Sequence, residues 1–268
     1  MRLDVGSILG IAIGLSAILL GNMLEGGHLS ALFQPTALLI VAGGTVGATM
    51  LGFPLPVFVR AVRALRDVFT SPPQQDNNSL IEEIVEYAQK ARREGIIALE
   101  RPLETANEPF LKKALLLAVD GADSKSMRDN LELIIEHYED DKEQLAKVWE
   151  AAGGYAPTIG IIGAVLGLIH VMQSLSDVSA VGRGIAVAFV ATIYGVSLAN
   201  LLLLPVAAKL KLRLREETKR LELMMEGALA IQEGLNPSLI REKLSSFYQE
   251  TRKKSEAGGV STRAEVRT

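Results

Sequence analysis

The chain has 268 residues, 49% of them hydrophobic and 22% charged, with a net charge of -3 and no cysteine. The slight negative balance excludes a nucleic-acid footprint, which needs a concentrated basic face against phosphate, and the missing cysteines exclude disulfides and thiolate metal sites. A positive mean hydropathy beside this much charge implies that apolar and charged stretches are kept apart.

Four segments carry no formal charge: residues 5–24, 29–59, 151–176 and 184–208. Each reaches the roughly 20 residues that a helix needs to cross about 30 Å of hydrocarbon. The expected fold is an all-α integral membrane protein with four transmembrane helices. Segment 5–24 reads as a retained helix, because it lacks a basic start and a small-residue cleavage site. Residues 70–79 (TSPPQQDNNS) read as a linker, with Ser79 as N-cap of an amphipathic helix over 79–90 on which Ile81, Ile84, Val85 and Ala88 share a face. Gly95, Pro102 and Pro109 divide the next stretch into short helices. A longer helix over 125–150, with Leu131, Ile134, Ile135 and Tyr138 on one face, then continues into the third membrane helix.

The fourth membrane helix runs on into a charged helix to about residue 233, and 251–268 reads as a disordered tail. The expected divisions are therefore 1–59 (membrane helices 1 and 2), 60–150 (a cytoplasmic helical domain), 151–208 (membrane helices 3 and 4), 209–250 (C-terminal cytoplasmic helices) and 251–268. Orientation follows from the 28 Lys and Arg residues, which cluster after the second segment (Arg60, Arg63, Arg66) and after the fourth (Lys209, Lys211, Arg213, Arg215). Positive flanks stay in the cytoplasm, so both termini and the middle loop are placed there, with very short loops outside.

Signatures of enzymes are missing: there is no phosphate-binding glycine loop, HExxH or nucleophile elbow. No enzymatic activity, cofactor or metal is expected. His137 and Asp141 stand four apart, but within a charge run (HYEDDKE) that reads as a solvated helix face. More telling, none of the charge-free segments contains Asp, Glu, Lys or Arg. An ion crossing the hydrocarbon needs a group to bind it midway, so a conducting role would require a carboxylate from another chain.

Glycines recur four apart at Gly6, Gly10 and Gly14, at Gly43 and Gly47, and at Gly163 and Gly167. This spacing lets helix backbones approach closely, either within the chain or between copies. Pro157 and Pro205 fall at the same membrane boundary, and each removes a backbone hydrogen bond and allows a bend.

The succession ARREGIIALE (91–100), LKKALLLAVDG (111–121), GGYAPTIGIIGAVLGLIHVM (153–172) and AVAFVATIYGVSLANLLLLPVAAKL (186–210) resembles the MotA/PomA family of flagellar motor stator proteins, distantly related to ExbB and TolQ. The resemblance runs from about residue 3 to about residue 245. It implies a homo-oligomer, a ring of five copies around two copies of a single-pass MotB-type partner that supplies the ion-binding aspartate. It also implies ion flow converted into torque on the rotor protein FliG, in the bacterial inner membrane.

Carried over residue by residue, the family's rotor-contact charges fall on Arg92 and Glu100, with Arg93 beside them. Its prolines fall on Pro157 and Pro205 and its membrane threonine on Thr192, whose simpler role would be a bond to the carbonyl one turn back. Sodium-driven relatives tend to carry hydroxyls where this chain has Ala164 and Ala191, so the resemblance leans towards protons. An ExbB/TolQ-like energiser, a sodium-driven stator and a membrane scaffold without an ion path are the alternatives.

Overall fold

The computed structural model describes residues 2–71, 77–173 and 175–248; the expected tail at 251–268 and half of the linker, 72–76, lie outside them. In order, the helices are α1 (Val5–Leu24), α2 (Pro35–Gly52), α3 (Leu55–Phe69), α4 (Asn77–Glu94), α5 (Glu100–Glu104), α6 (Pro109–Val119), α7 (Ser124–Gln173), α8 (Val178–Leu198) and α9 (Leu204–Gln232). A tenth helix, α10, covers 237–248. Short 3-10 turns occupy Leu29–Leu32 and Ile96–Leu99, and a π-helical stretch, Ala199–Leu203, joins α8 to α9. The described residues depart from an all-helical chain in one two-residue antiparallel pair, Arg2 with Ser71 and Leu3 with Thr70.

Four helical stretches are long and apolar enough to cross a membrane: Val5–Leu24, Leu29–Gly52, and parts of Ser124–Gln173 and Val178–Gln232. Three boundaries differ from the sequence expectation. The charge-free run 29–59 divides at Phe53–Pro54, because the residue before a proline is driven out of the helical region and Phe53 is extended (φ -136°, ψ 145°). Helix α4 already runs at Asn77, so Ser79 lies within its first turn and is not its N-cap; Asn77 accepts a hydrogen bond from Arg220. Helix α8 begins before Arg183, capped by Asp177, whose carboxylate accepts from the Ser179 and Ala180 amides at 2.9 and 3.2 Å.

The residues group into two units, Met1–Gln74 with Asp141–Arg213 and Gln75–Asp140 with Leu214–Thr268. In the first unit the buried residues are mostly small: Ala37 and Val41 of α2 with Val190 and Ala191 of α8, Ala61 and Ala64 of α3 with Leu145 and Val148 of α7, and Ala152 and Ala156 with Ala199 and Leu203. Asp4 is the polar node of this unit. It caps α1 by accepting from the Ser7 amide (2.9 Å), its own amide donates to Phe69 (2.9 Å), and its carboxylate pairs with Lys209 (2.6 Å) and Arg213 (3.6 Å). The Lys209 hydrogen bond and the Ser7 amide hold this carboxyl at about 2.

The second unit closes one large apolar core from two distant stretches of sequence. Leu80, Ile84, Leu99, Leu103, Leu111, Leu115, Met127 and Leu131 pack with Leu223, Met224, Leu229, Ile240 and Leu244. The periodic positions Ile81, Ile84, Val85 and Ala88 of α4 are all buried there. Arg220, 11% exposed, joins the starts of α4 and α6 by donating to Asn77 and to the Glu108 carboxylate at 2.6 Å.

Candidate functional site

In the second unit, the corner that carries Arg92, Arg93 and Glu100 is built by one glycine and one leucine. Gly95 has a φ of +87°, a region that L side chains rarely adopt. It ends α4 by donating to the Ala91 carbonyl (2.9 Å) and turns the chain into the 3-10 turn. Leu99 then anchors the corner in the core with no exposed surface. With Leu99 inward, Arg92, Arg93, Ile97 and Glu100 all stand in solvent. Arg93 donates through Nε to the Gln89 carbonyl at 3.3 Å, whereas neither Arg92 nor Glu100 has an ion-pair partner among the described residues. Such a display of unpaired charge contributes little to stability and suits a transient, steered encounter.

In the first unit, α7 and α8 meet along a seam of small residues. A Cβ added at Gly195 would lie 2.5 Å from the Ala156 carbonyl oxygen; at Gly160, 2.9 Å from the Ala191 oxygen; at Gly167, 2.8 Å from the Gly184 oxygen. At Gly163 it would meet the Ala191 Cβ at 2.8 Å. Gly163 and Gly167 therefore serve packing within the chain. Gly10, Gly43 and Gly47 have open space where a side chain would be. Sequence reasoning missed Gly160, Gly184 and Gly195, although small residues at three- and four-residue steps on both helices were a readable signal.

Pro157 belongs to this seam, whereas Pro205 is exposed and only its neighbour Leu204 reaches α7. Pro157 lies inside α7, with its Cα 3.2 Å from where a Gly195 side chain would start. Lacking an N–H, it leaves the Gly153 carbonyl without its helical donor. Leu204, immediately before Pro205, packs on that same Gly153, where an added Cβ would meet its Cδ2 at 2.5 Å. The π-helical widening at Ala199–Leu203 ends one residue short of Pro205, where a regular helix would press its ring against the preceding turn. The two helix irregularities thus touch side by side.

Thr192 is half-buried, and its hydroxyl donates to the Ala188 carbonyl at 3.2 Å. Ala191 is fully buried between α7 and α2, and Ala164 is half-buried on α7. Thr192, Val196 and Asn200 recur one turn apart, next to exposed Phe189 and Ile193. Asn200 is exposed and donates to the Val196 carbonyl at 2.9 Å. As the one amide side chain of segment 184–208, it could have been singled out from sequence, since polar groups at membrane depth mark pathways or partners. Tyr194 fastens α8 to the turn before α2: its hydroxyl donates to the Leu32 carbonyl and accepts from the Gln34 amide at 3.3 Å.

Comparison with known proteins adds identity to this geometry. Residues 8–95 match the family model "Motility protein A N-terminal" and residues 103–223 match "MotA/TolQ/ExbB proton channel family". Motility protein A of Bacillus subtilis is 38% identical over 91% of this chain and 91% of its own. Among solved structures, that of C. jejuni MotAB aligns with a TM-score of 0.85 at 31% identity, covering 91% of this chain and 96% of that one. The flagellar MotAB stator complex of Bacillus subtilis aligns with a TM-score of 0.81 at 38% identity, covering 88% and 93%. The chain belongs to the motility protein A family, within the MotA/TolQ/ExbB proton channel family.

Proposed function

We propose that this protein is the stator subunit of a bacterial flagellar motor, a non-enzymatic inner-membrane protein with both termini in the cytoplasm. It assembles as five copies around a MotB-type partner and turns proton flow into torque on the rotor protein FliG. One observation carries this reading: the four apolar segments hold no Asp, Glu, Lys or Arg, yet the chain belongs to a proton channel family. The carboxylate that binds the ion must then come from a partner, and both solved relatives are MotAB structures.

On this reading the outward face formed by Thr192 of α8 and Asn200 of the π-helical stretch meets the partner's aspartate. Bonded to Ala188 as donor, the Thr192 hydroxyl still has acceptor capacity for a protonated carboxyl or a water. Neutralising the aspartate removes a charge beside the outward face of α8, and the contact of Gly153 with Leu204 links the bend at Pro157 to the residue before Pro205. Movement there is carried towards the corner where Arg92, Arg93 and Glu100 contact FliG. Ala164 and Ala191 favour protons over sodium, because methyl groups cannot replace the oxygen ligands that a dehydrated sodium ion needs.

The test is swimming speed of a stator-less flagellated cell expressing this protein with its cognate partner. Speed should persist when potassium replaces sodium and vanish when the proton gradient is collapsed. Sodium dependence would reverse the ion assignment, and no motility from a correctly inserted pair would return the energiser and scaffold readings.

A further inference from the structure

We infer that α3 is a docking surface for anionic phospholipid headgroups, lying on the bilayer where α2 leaves it; the inference rests on the membrane placement proposed for the stator. Helix α3 starts at Leu55, three residues after α2 ends at Gly52, so its first turns cannot move far from the membrane boundary. One side is buried in the protein through Ala61, Ala64 and Val68. The opposite side exposes Leu55, Val59 and Val62, one turn apart, in its first half and Arg63 and Arg66 in its second, with the single carboxylate Asp67 exposed beside them.

An apolar row followed by arginines on a helix tethered to a membrane segment matches the surface of a bilayer. Leucine and valine enter the acyl boundary, and the long arginine side chains reach back to phosphate. Neighbouring charges leave room for such a ligand. Arg60 is paired with Asp141, Lys211 with Glu150, and Lys209 and Arg213 with Asp4, whereas Arg63 has no ion-pair partner among the described residues. Trp149 of α7, half-buried against this helix, donates its indole N–H to the Ala61 carbonyl at 3.1 Å. Tryptophan with an apolar body and one satisfied polar handle is the residue favoured at membrane interfaces. Each basic group near an anionic surface favours it by roughly fivefold.

Trp149, the chain's single tryptophan, packs on the buried side of α3, so the reporter is Val62→Trp on the exposed side in a chain that also carries Trp149→Phe. This full-length reporter chain is reconstituted in phosphatidylcholine vesicles in which an equal fraction of lipid carries acyl-chain bromines, borne either by phosphatidylcholine or by phosphatidylglycerol. Brominated phosphatidylglycerol should quench this reporter as a lipid bound roughly fivefold or more in preference. Arg63→Gln with Arg66→Gln should bring the two lipids to parity, and Arg63→Lys should keep the preference. Equal quenching in the reporter chain with both arginines intact would overturn the anionic preference, and a preference that survives the double substitution would overturn its assignment to α3. No quenching by either lipid would remove α3 from the bilayer altogether, as expected if another protein covers it. The swimming assay is independent of every one of these outcomes.

Discussion

The two units of this chain solve the packing problem in opposite ways. Every one of the largest fully buried side chains among the described residues, from Leu80 and Ile84 to Leu229 and Ile240, belongs to the second unit. The first unit buries mainly alanine, valine and glycine and turns its large residues outward, with Leu39, Leu51, Phe189 and Met172 all well exposed. The second is what water demands: apolar area removed from solvent drives the core. In hydrocarbon that drive vanishes, and helices associate by close backbone approach, for which a methyl group is already bulky. The difference predicts which kind of substitution each unit tolerates.

The largest effect is expected at the seam. Gly195→Leu pushes a side chain into the Ala156 carbonyl, a backbone atom that cannot rotate away. It should cost about 3 kcal/mol or more, read as early loss of helicity when detergent-solubilised protein is titrated with denaturing detergent. Gly43→Leu, into open space, should change the same curve by less than about 0.5 kcal/mol. Similar losses for both would mean that the seam is not what holds the first unit together. Next comes the large core: Leu115→Ala, fully buried, should cost about 2–5 kcal/mol in urea. The contrasting change, a leucine trimmed from the outward face of α8 or α2, should cost almost nothing in the isolated chain.

Much of this contrast was legible before any coordinates. The apolar period of α4, the continuation of the middle helix into the third membrane segment as a 50-residue α7, and the four spans all follow from local pattern. Distance in sequence hid the rest. Nothing local says that the stretch around Leu111 closes a core with Leu223 and Ile240, or that Asp4 pairs with Lys209. Glycine spacing revealed close approach without naming the partner: Gly163 faces α8, whereas Gly43, with the same spacing signal, faces nothing among the described residues. The break at Pro54 is readable too, because a proline drives Phe53 out of the helical region within an otherwise charge-free run. Arg92 and Glu100 were reached through family resemblance alone, because an unpaired surface charge has no physical signature of its use.

A smaller effect belongs to Asp4, the polar node of the apolar unit. Its carboxyl titrates at about 2 in the folded chain, below the ordinary 3.8, chiefly through the Lys209 hydrogen bond. A depressed carboxyl adds stability that is fully present above pH 3.8 and disappears as pH falls towards 2. Water reaches this site, so the contribution is about 1 kcal/mol. Asp4→Asn should lower stability by that amount at pH 7, and the gap between variant and parent should close on acidification. A gap that stays constant from pH 7 to the acid limit would assign the loss to packing and not to charge.

The smallest structural effect and the largest functional one should coincide at the corner of the second unit. Arg92→Glu and Glu100→Arg each alter an exposed side chain without an ion-pair partner among the described residues, so unfolding in urea should shift by less than about 0.5 kcal/mol. If these charges steer contact with the rotor, each reversal should nevertheless reduce swimming speed severely, and the loss should deepen as salt is lowered, since a repulsive encounter is screened less. Reversing the facing charge on the rotor should restore speed. Gly95→Ala provides the contrast: it leaves every charge in place but strains the positive φ that aims them, so no rotor charge reversal should rescue it. Rescue of Gly95→Ala by such a reversal would show that charge count, and not the shape of the corner, is what the rotor reads.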